Sequence, residues 1–145
     1  MSDAFPHHYE TAAAADAEGA VTVTSPRLPD LSTMPPAEFG GPGDHWSPET
    51  LLSAAVADCF VLGFRAIARA SKVEWKHLEC RAVGTLDRSD GTLKFTRFDL
   101  TAKLAVPSGV DEARATRVLE KAEKSCLITN SLSCEIHLQT EVVNA

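Results

Sequence analysis

What most limits the fold open to this chain is the change of character at Ser47. From Ser25 to Trp46, five prolines and three glycines, among them Pro35-Pro36 and Gly40-Gly41-Pro42-Gly43, break any regular structure and predict one long loop over 25–46. At Ser47-Pro48-Glu49 the chain supplies an N-cap hydroxyl, a proline at the first helical position and a carboxylate at the positive end of a helix dipole. No further proline follows before Pro107. Leu52, Ala55, Val56, Cys59, Leu62, Gly63, Ala66 and Ala70 recur at intervals of three and four, which predicts a long helix with that face buried. Arg65, Arg69 and Lys72 suit its negative end.

Such a helix needs a sheet to cover it, and the rest of the chain provides one. Ala20 to Thr24 alternates valine with threonine and predicts a short strand; residues 1–19, Ala-rich and polar, are expected to be flexible. Leu78, Cys80, Ala82, Gly84 and Leu86 alternate with His77, Glu79, Arg81 and Thr85, and Asp90-Gly91 marks a hairpin turn. In the return strand Leu93 and Phe95 are out of phase with Phe98, Leu100, Ala102 and Leu104, which predicts a β-bulge near Thr96 and Arg97. Beyond Pro107, Ser108 and Asp111 form a capping-box pattern for a second helix with core stripe Ala115, Val118, Leu119 and Ala122, which Cys126 extends. A closing strand runs from about Cys134 to Val143. The expectation is a single α+β domain over 1–145, with an antiparallel sheet, a long central helix carrying Cys59 and a second helix before Cys126. A long helix that is apolar over a broad face also predicts a homodimer.

Composition narrows the function. A net charge of −6, without a Lys/Arg stripe interleaved with aromatics, argues against nucleic acid as a partner. The first residues show no basic and apolar leader, and no stretch is expected to reach the length of a membrane span, so a cytoplasmic protein without a membrane partner is expected. The four cysteines are spaced 21, 46 and 8 apart, which is neither a CxxC hook nor a zinc rhythm, so neither metal nor cofactor is expected. In a reducing compartment, a cysteine pair that does chemistry cycles between thiol and disulfide.

A cysteine on an apolar helix face is ordinarily a small buried hydrophobe, and that reading stands for Cys59 when it is taken alone. Cys126 differs: it follows a helix directly and precedes the polar run Thr129-Asn130-Ser131. His45 reads as an exposed loop histidine, His7 and His8 as tail residues, and Cys80 and Cys134 as core positions of strands. His77 and Cys80 point to opposite faces of a strand, which disfavours a shared metal.

The segment Ser47-Pro48-Glu49-Thr50-Leu51-Leu52, continued by Ala54-Ala55-Val56-Ala57-Asp58-Cys59-Phe60, resembles the helix signature of the OsmC/Ohr family of hydroperoxide reductases. Cys126-Leu127-Ile128-Thr129-Asn130-Ser131-Leu132 is similar to that family's second cysteine motif, and Phe39-Gly40-Gly41-Pro42-Gly43 to its Gly-rich approach. The resemblance implies the OsmC-like fold as an intertwined homodimer. It also implies a two-cysteine peroxidase that reduces organic hydroperoxides to alcohols, with hydrogen peroxide as a further substrate. Cys59 would be the peroxidatic nucleophile and Cys126 the thiol that captures its sulfenic acid as a disulfide before further oxidation. The implied reductant is a dithiol, lipoyl or thioredoxin-like. Glu49 would serve the site, although ten residues of helix set it about 15 Å along the axis from Cys59. The family also pairs that glutamate with an arginine from the N-terminal strand or the loop before the helix. Here Arg27 is the only arginine before Glu49, which makes it the candidate. A thiolate without a nearby cation keeps a normal or raised pKa. Two other readings use the same fold: a catalytically weak protein binding a small lipophilic ligand, and a redox-sensing dimer.

Overall fold

A computed structural model describes residues 4–145, which fall into two compact units, one up to Leu51 and one from Leu52 on. The first unit holds a small antiparallel sheet of β1 (Ala12–Ala14), β2 (Val21–Thr24) and β3 (Leu31–Thr33), in that spatial order. Thr22 faces Ala14 on one side and Ser32 on the other. The predicted strand is therefore β2; of the segments 1–19 and 25–46, read as flexible and as one long loop, the first gains a short strand and the second is corrected as not wholly irregular. β1 lies in the first, and the second holds β3 and a single 3₁₀ turn, Ala37–Phe39. Met1 to Asp3 lie outside the described residues. The breakers act as expected between these pieces: Gly40 takes the left-handed conformation, and a Cβ at Gly41 would overlap the Pro35 carbonyl oxygen.

Helix α1 (Pro48–Ser71) begins where the cap signal predicts. The Thr50 amide donates to Ser47 Oγ at 3.1 Å, and the Ser47 amide donates to Thr50 Oγ1 at 2.8 Å, a reciprocal cap that keeps Ser47 buried. The helix ends as Lys72 turns left-handed and Val73 N–H donates back to the Ala68 carbonyl at 2.9 Å. Its buried stripe is Val56, Phe60, Phe64 and Ala68. The predicted stripe is thus corrected: of its eight members only Val56 is fully buried, while Leu62, Ala66 and Ala70 are exposed. Helix periodicity selects a face only when the other side is polar, and α1 is apolar nearly all round. For the same reason the expectation that no segment matches a membrane span is corrected. By length and composition alone α1 does, with 24 residues and a mean hydropathy of 1.8 over 18 of them.

The second unit is built on β4 (His77–Ser89), β5 (Thr92–Val106) and β6 (Glu135–Asn144), with β5 central. β4 and β5 form the predicted hairpin, its turn made by Asp90 and Gly91 at φ +51° and +77°. Thr85 pairs with Arg97 and Leu86 with Phe95, so Thr96 is the extra residue and the predicted bulge is present. The bulge has a packing consequence. It brings Phe95 and Phe98, three residues apart, onto one face, where their rings stack at 5.1 Å. Gly84, opposite Phe98, leaves the space: a Cβ there would lie 2.6 Å from the Phe98 ring.

β6 departs from the expected antiparallel sheet, since it pairs parallel to β5 and makes the sheet mixed. The chain between β5 and β6 contains α2 (Glu112–Lys124) and α3 (Leu127–Asn130), the kind of helical crossover that parallel strands require. The cap of α2 is also corrected. Asp111 itself is the N-cap and accepts from Ala113 N–H at 3.0 Å, in place of a box opened by Ser108. Ala115, Val118, Leu119 and Ala122 are buried as predicted. They join Phe60, Phe64, Phe98, Leu100 and Leu104 in one core.

Candidate active site

Cys126 does not extend the α2 stripe as helix, because α2 ends at Lys124. The intervening turn is tied down locally: Cys126 N–H donates to the Glu123 carbonyl at 3.3 Å, Ser125 Oγ to the Lys121 carbonyl at 2.8 Å and Asn130 Nδ2 to the Lys124 carbonyl at 3.2 Å. Cys126 then becomes the N-cap of α3, its carbonyl accepting from Asn130 N–H at 3.0 Å. The polar run noted in the sequence is the α3 turn itself, with Thr129 buried and donating to the same carbonyl. These bonds hold the Cys126 thiol inside the second unit, where the residue is buried.

This turn meets the less covered face of α1. The Cys59 thiol has the Cys126 thiol and the backbone N–H groups of Ile128 and Leu127 as its electrostatic neighbours. Both cysteines are reduced. Burial is the largest influence on Cys59 and pushes its pKa above the ordinary thiol range; the Ile128 N–H pulls the other way, and Cys126 raises it further. An open cleft of about 420 Å³ lies over the pair, lined by Ala55, Asp58, Leu62, Gly63 and the start of α3. Chemically this is a half-buried thiol with a second thiol beside it, N–H dipoles near its sulfur and access from outside. Cys80, half-buried on β4, is electrostatically coupled to Cys126; burial first, then that coupling, raises its pKa to about 11.

The other two predicted residues belong to the first unit. Glu49 lines an apolar pocket of about 460 Å³ with Val21, Val23, Met34, Phe39 and Leu51. Arg27 sits at φ +64° in the exposed turn between β2 and β3, and it does not line that pocket. The structure therefore brings Cys59 and Cys126 together within the second unit, and in the first unit Arg27 lies outside the pocket that Glu49 lines. His45 is exposed and bonded through Nδ1 to Asp44 at 2.6 Å. Among the described residues no cluster of His, Cys, Asp and Glu fits a metal. Two features escape the sequence reading. One is the pair of N–H donors from α3, for which no residue-type signal exists. The other is Asp58, whose signal is that it is the only charged residue of α1 between Glu49 and Arg65.

An α+β fold of this kind has known counterparts. Residues 41–141 match the family described as OsmC-like protein, and the chain belongs to that family. It is 31% identical over 113 residues to an organic hydroperoxide resistance protein of Xanthomonas axonopodis pv. citri, covering 75% of each chain. It is 27% identical over 96 residues to peroxiredoxin OsmC of Escherichia coli K12, covering 66% of each. An OsmC-like protein of Vibrio cholerae superposes with a TM-score of 0.86 at 17% identity, over 94% of this chain and all of the other, a likeness of fold.

Proposed function

We propose that the chain is a two-thiol peroxidase that reduces organic hydroperoxides, with Cys59 as nucleophile and Cys126 as resolving thiol. The observation that supports this reading is that Cys59 and Cys126 line one open cleft as electrostatic neighbours. The Cys59 thiolate attacks the outer oxygen of the O–O bond, which breaks; the alkoxide takes a proton and leaves as alcohol, and Cys59 becomes a sulfenic acid. Cys126 then attacks the sulfenic sulfur, water leaves, and a disulfide forms. A dithiol of lipoyl or thioredoxin-like type returns both sulfurs to thiols and is itself oxidised to a disulfide. The reading places this cycle in a reducing cytoplasm and in a homodimer that covers the exposed side of α1. It leaves Arg27 and Glu49 as contributors to be tested by Arg27→Ala and Glu49→Gln.

The test is stopped-flow loss of thiol with tert-butyl hydroperoxide, followed by peptide mapping. A Cys59–Cys126 disulfide is expected, with over-oxidation of Cys59 in Cys126→Ser and no reaction in Cys59→Ser. Because the thiolate reacts and burial lifts the Cys59 pKa, the rate should climb about tenfold per pH unit across neutral pH and level off only above the ordinary thiol range. A dominant Cys80–Cys134 linkage would show that the wrong pair has been assigned. One observation favours a second reading, a weak enzyme that binds a lipophilic molecule: the largely apolar pocket around Glu49. Thiol loss no faster than that of free cysteine would favour it.

A further inference from the structure

The proposed cycle requires Cys126 to reach the Cys59 sulfenic acid before a second peroxide does, so whatever fixes the turn that carries Cys126 controls the outcome. That turn runs from Lys124, the last residue of α2, to Asn130, the last residue of α3. Asn130 holds it at two places. Its backbone N–H donates to the Cys126 carbonyl at 3.0 Å, and its Nδ2 reaches six residues back to donate to the Lys124 carbonyl at 3.2 Å. A carbonyl only accepts, so the amide end that faces Lys124 is the NH₂. Cys126 N–H donates to the Glu123 carbonyl at 3.3 Å, and Thr129 Oγ1 is a second donor to the Cys126 carbonyl at the same distance. Of these bonds, only the one from the Asn130 side chain spans Cys126 and closes the turn around it. The Cys126 thiol makes no cap bond to α3 and is left for chemistry. Every bond of the set lies within the second unit of one chain, so none requires the side of α1 beside Cys59 to stay open.

We propose that Asn130 is a positioning residue for the resolving thiol: its side-chain amide closes the turn around Cys126 and so directs the Cys59 sulfenic acid to disulfide rather than to sulfinic acid. This rests on the peroxidase reading and adds a determinant of its second step. The sulfenic acid has two exits. In one, the Cys126 sulfur bonds to the Cys59 sulfur and the hydroxyl leaves as water; in the other, a second peroxide transfers its outer oxygen to the Cys59 sulfur and leaves as alcohol. The first is intramolecular and depends on placement, the second on peroxide concentration. Loosening the turn therefore lowers the peroxide concentration at which over-oxidation overtakes the disulfide. Loss of one hydrogen bond between uncharged groups, with the other bonds of the turn in place, should slow the first exit by about fivefold.

The test is Asn130→Leu, which keeps the size of the side chain without a donor, against Asn130→Gln, which keeps the donor. Asn130 is exposed, so neither variant disturbs the core. Ser131→Ala is the structural control: the Ser131 hydroxyl donates to the Leu127 carbonyl at 2.8 Å, a neighbouring bond that does not span Cys126. Each protein is mixed with tert-butyl hydroperoxide, and quenching with dimedone before peptide mapping separates sulfenic acid, disulfide and sulfinic acid at Cys59. In Asn130→Leu, disulfide formation should slow about fivefold relative to loss of the Cys59 thiol, with half over-oxidation at about one-fifth of the parent's peroxide concentration. Asn130→Gln and Ser131→Ala should stay near the parent. Equal slowing of both steps in Asn130→Leu, or the same shift in Ser131→Ala, would reduce Asn130 to a fold-stabilising role and overturn the assignment. Equilibration with reduced and oxidised glutathione reads the placement of the two thiols without peroxide, as the effective concentration of Cys126 toward Cys59. If that falls in Asn130→Leu while peroxide leaves the parent's thiols intact, the peroxidase reading fails and with it the directing of a sulfenic acid. If the parent forms the disulfide with peroxide and neither readout responds to Asn130→Leu, only the Asn130 assignment fails.

Discussion

The two sides of α1 are nearly equal in hydrophobicity and opposite in use. One side, Val56, Phe60, Phe64 and Ala68, is fully buried against the sheet and α2. The other, Ala55, Cys59, Leu62 and Gly63, lines an open cleft, with Leu62 half exposed. What separates them is side-chain size. The two phenylalanines, spaced four apart, fill the volume between helix and sheet, while the smaller residues leave room beside Cys59 for the α3 turn and for a substrate. A cysteine on the Phe60 side would be packing material. On the other side it has a polar partner and an entrance.

The largest effect that sharpens this contrast is expected from Phe64→Ala. The ring is fully buried and meets Trp75 edge-on at 5.3 Å, so its removal should cost about 3–5 kcal/mol in chemical denaturation. A loss below about 1 kcal/mol would mean that this is not the main packing face. Next comes Gly84→Ala on the sheet side of the same core. The new methyl would lie 2.6 Å from Phe98 Cε1 and 2.9 Å from Phe95 Cε1, forcing the stacked rings apart at a cost of about 1–3 kcal/mol. A neutral result would show that the stack over the bulge yields freely.

The hairpin was legible in the sequence because its signals are local. Asp90-Gly91 selects the turn, and the phase slip around Thr96 is a count of side chains against a period of two. The cap at Ser47 was legible for the same reason. The buried face of α1 was not, since a helix apolar on both sides does not say which side its neighbours take. Nor was the direction of β6, which depends on how the helical connection returns to the sheet rather than on any strand pattern. β1 and β3 are three residues each, too short to show alternation. Cys59 and Cys126 stand 67 positions apart, and only family resemblance linked them before the fold did. Asp58 was in plain view as an isolated charge, but that it lines the cleft depends on which side of the helix is open.

A smaller effect should appear at alkaline pH. Burial raises the folded Cys80 thiol to about 11, whereas an unfolded thiol ionises near pH 8.5. As pH rises between these values the unfolded chain loses its proton first and binds fewer protons, so unfolding becomes easier. The stabilising contribution is complete below about pH 8.5 and fades toward pH 11, amounting to about 1 kcal/mol after allowance for partial exposure. Denaturation of the parent and of Cys80→Ala from pH 7 to 10.5 should show a shallower alkaline decline in the variant. Parallel curves would remove Cys80 from the account.

The smallest effect on folding is expected at Leu62, and it bears most directly on the two faces. Leu62 is 50% exposed and lines the cleft, so truncation to alanine removes side chain that already meets solvent. Partial burial of three carbons is worth below about 1 kcal/mol, and the open side lets water fill the space without leaving a cavity. Leu62→Ala should therefore unfold within about 1 kcal/mol of the parent at concentrations where the chain is monomeric. If a second copy covers this face, as the homodimer reading requires, Leu62→Glu should weaken self-association in sedimentation while leaving monomer stability near that of Leu62→Ala, because a buried carboxylate without a partner is costly only where solvent is excluded. Equal stability losses for Leu62→Ala and Phe64→Ala would abolish the distinction between the faces. Unchanged self-association in Leu62→Glu would place the dimer contact elsewhere on the molecule.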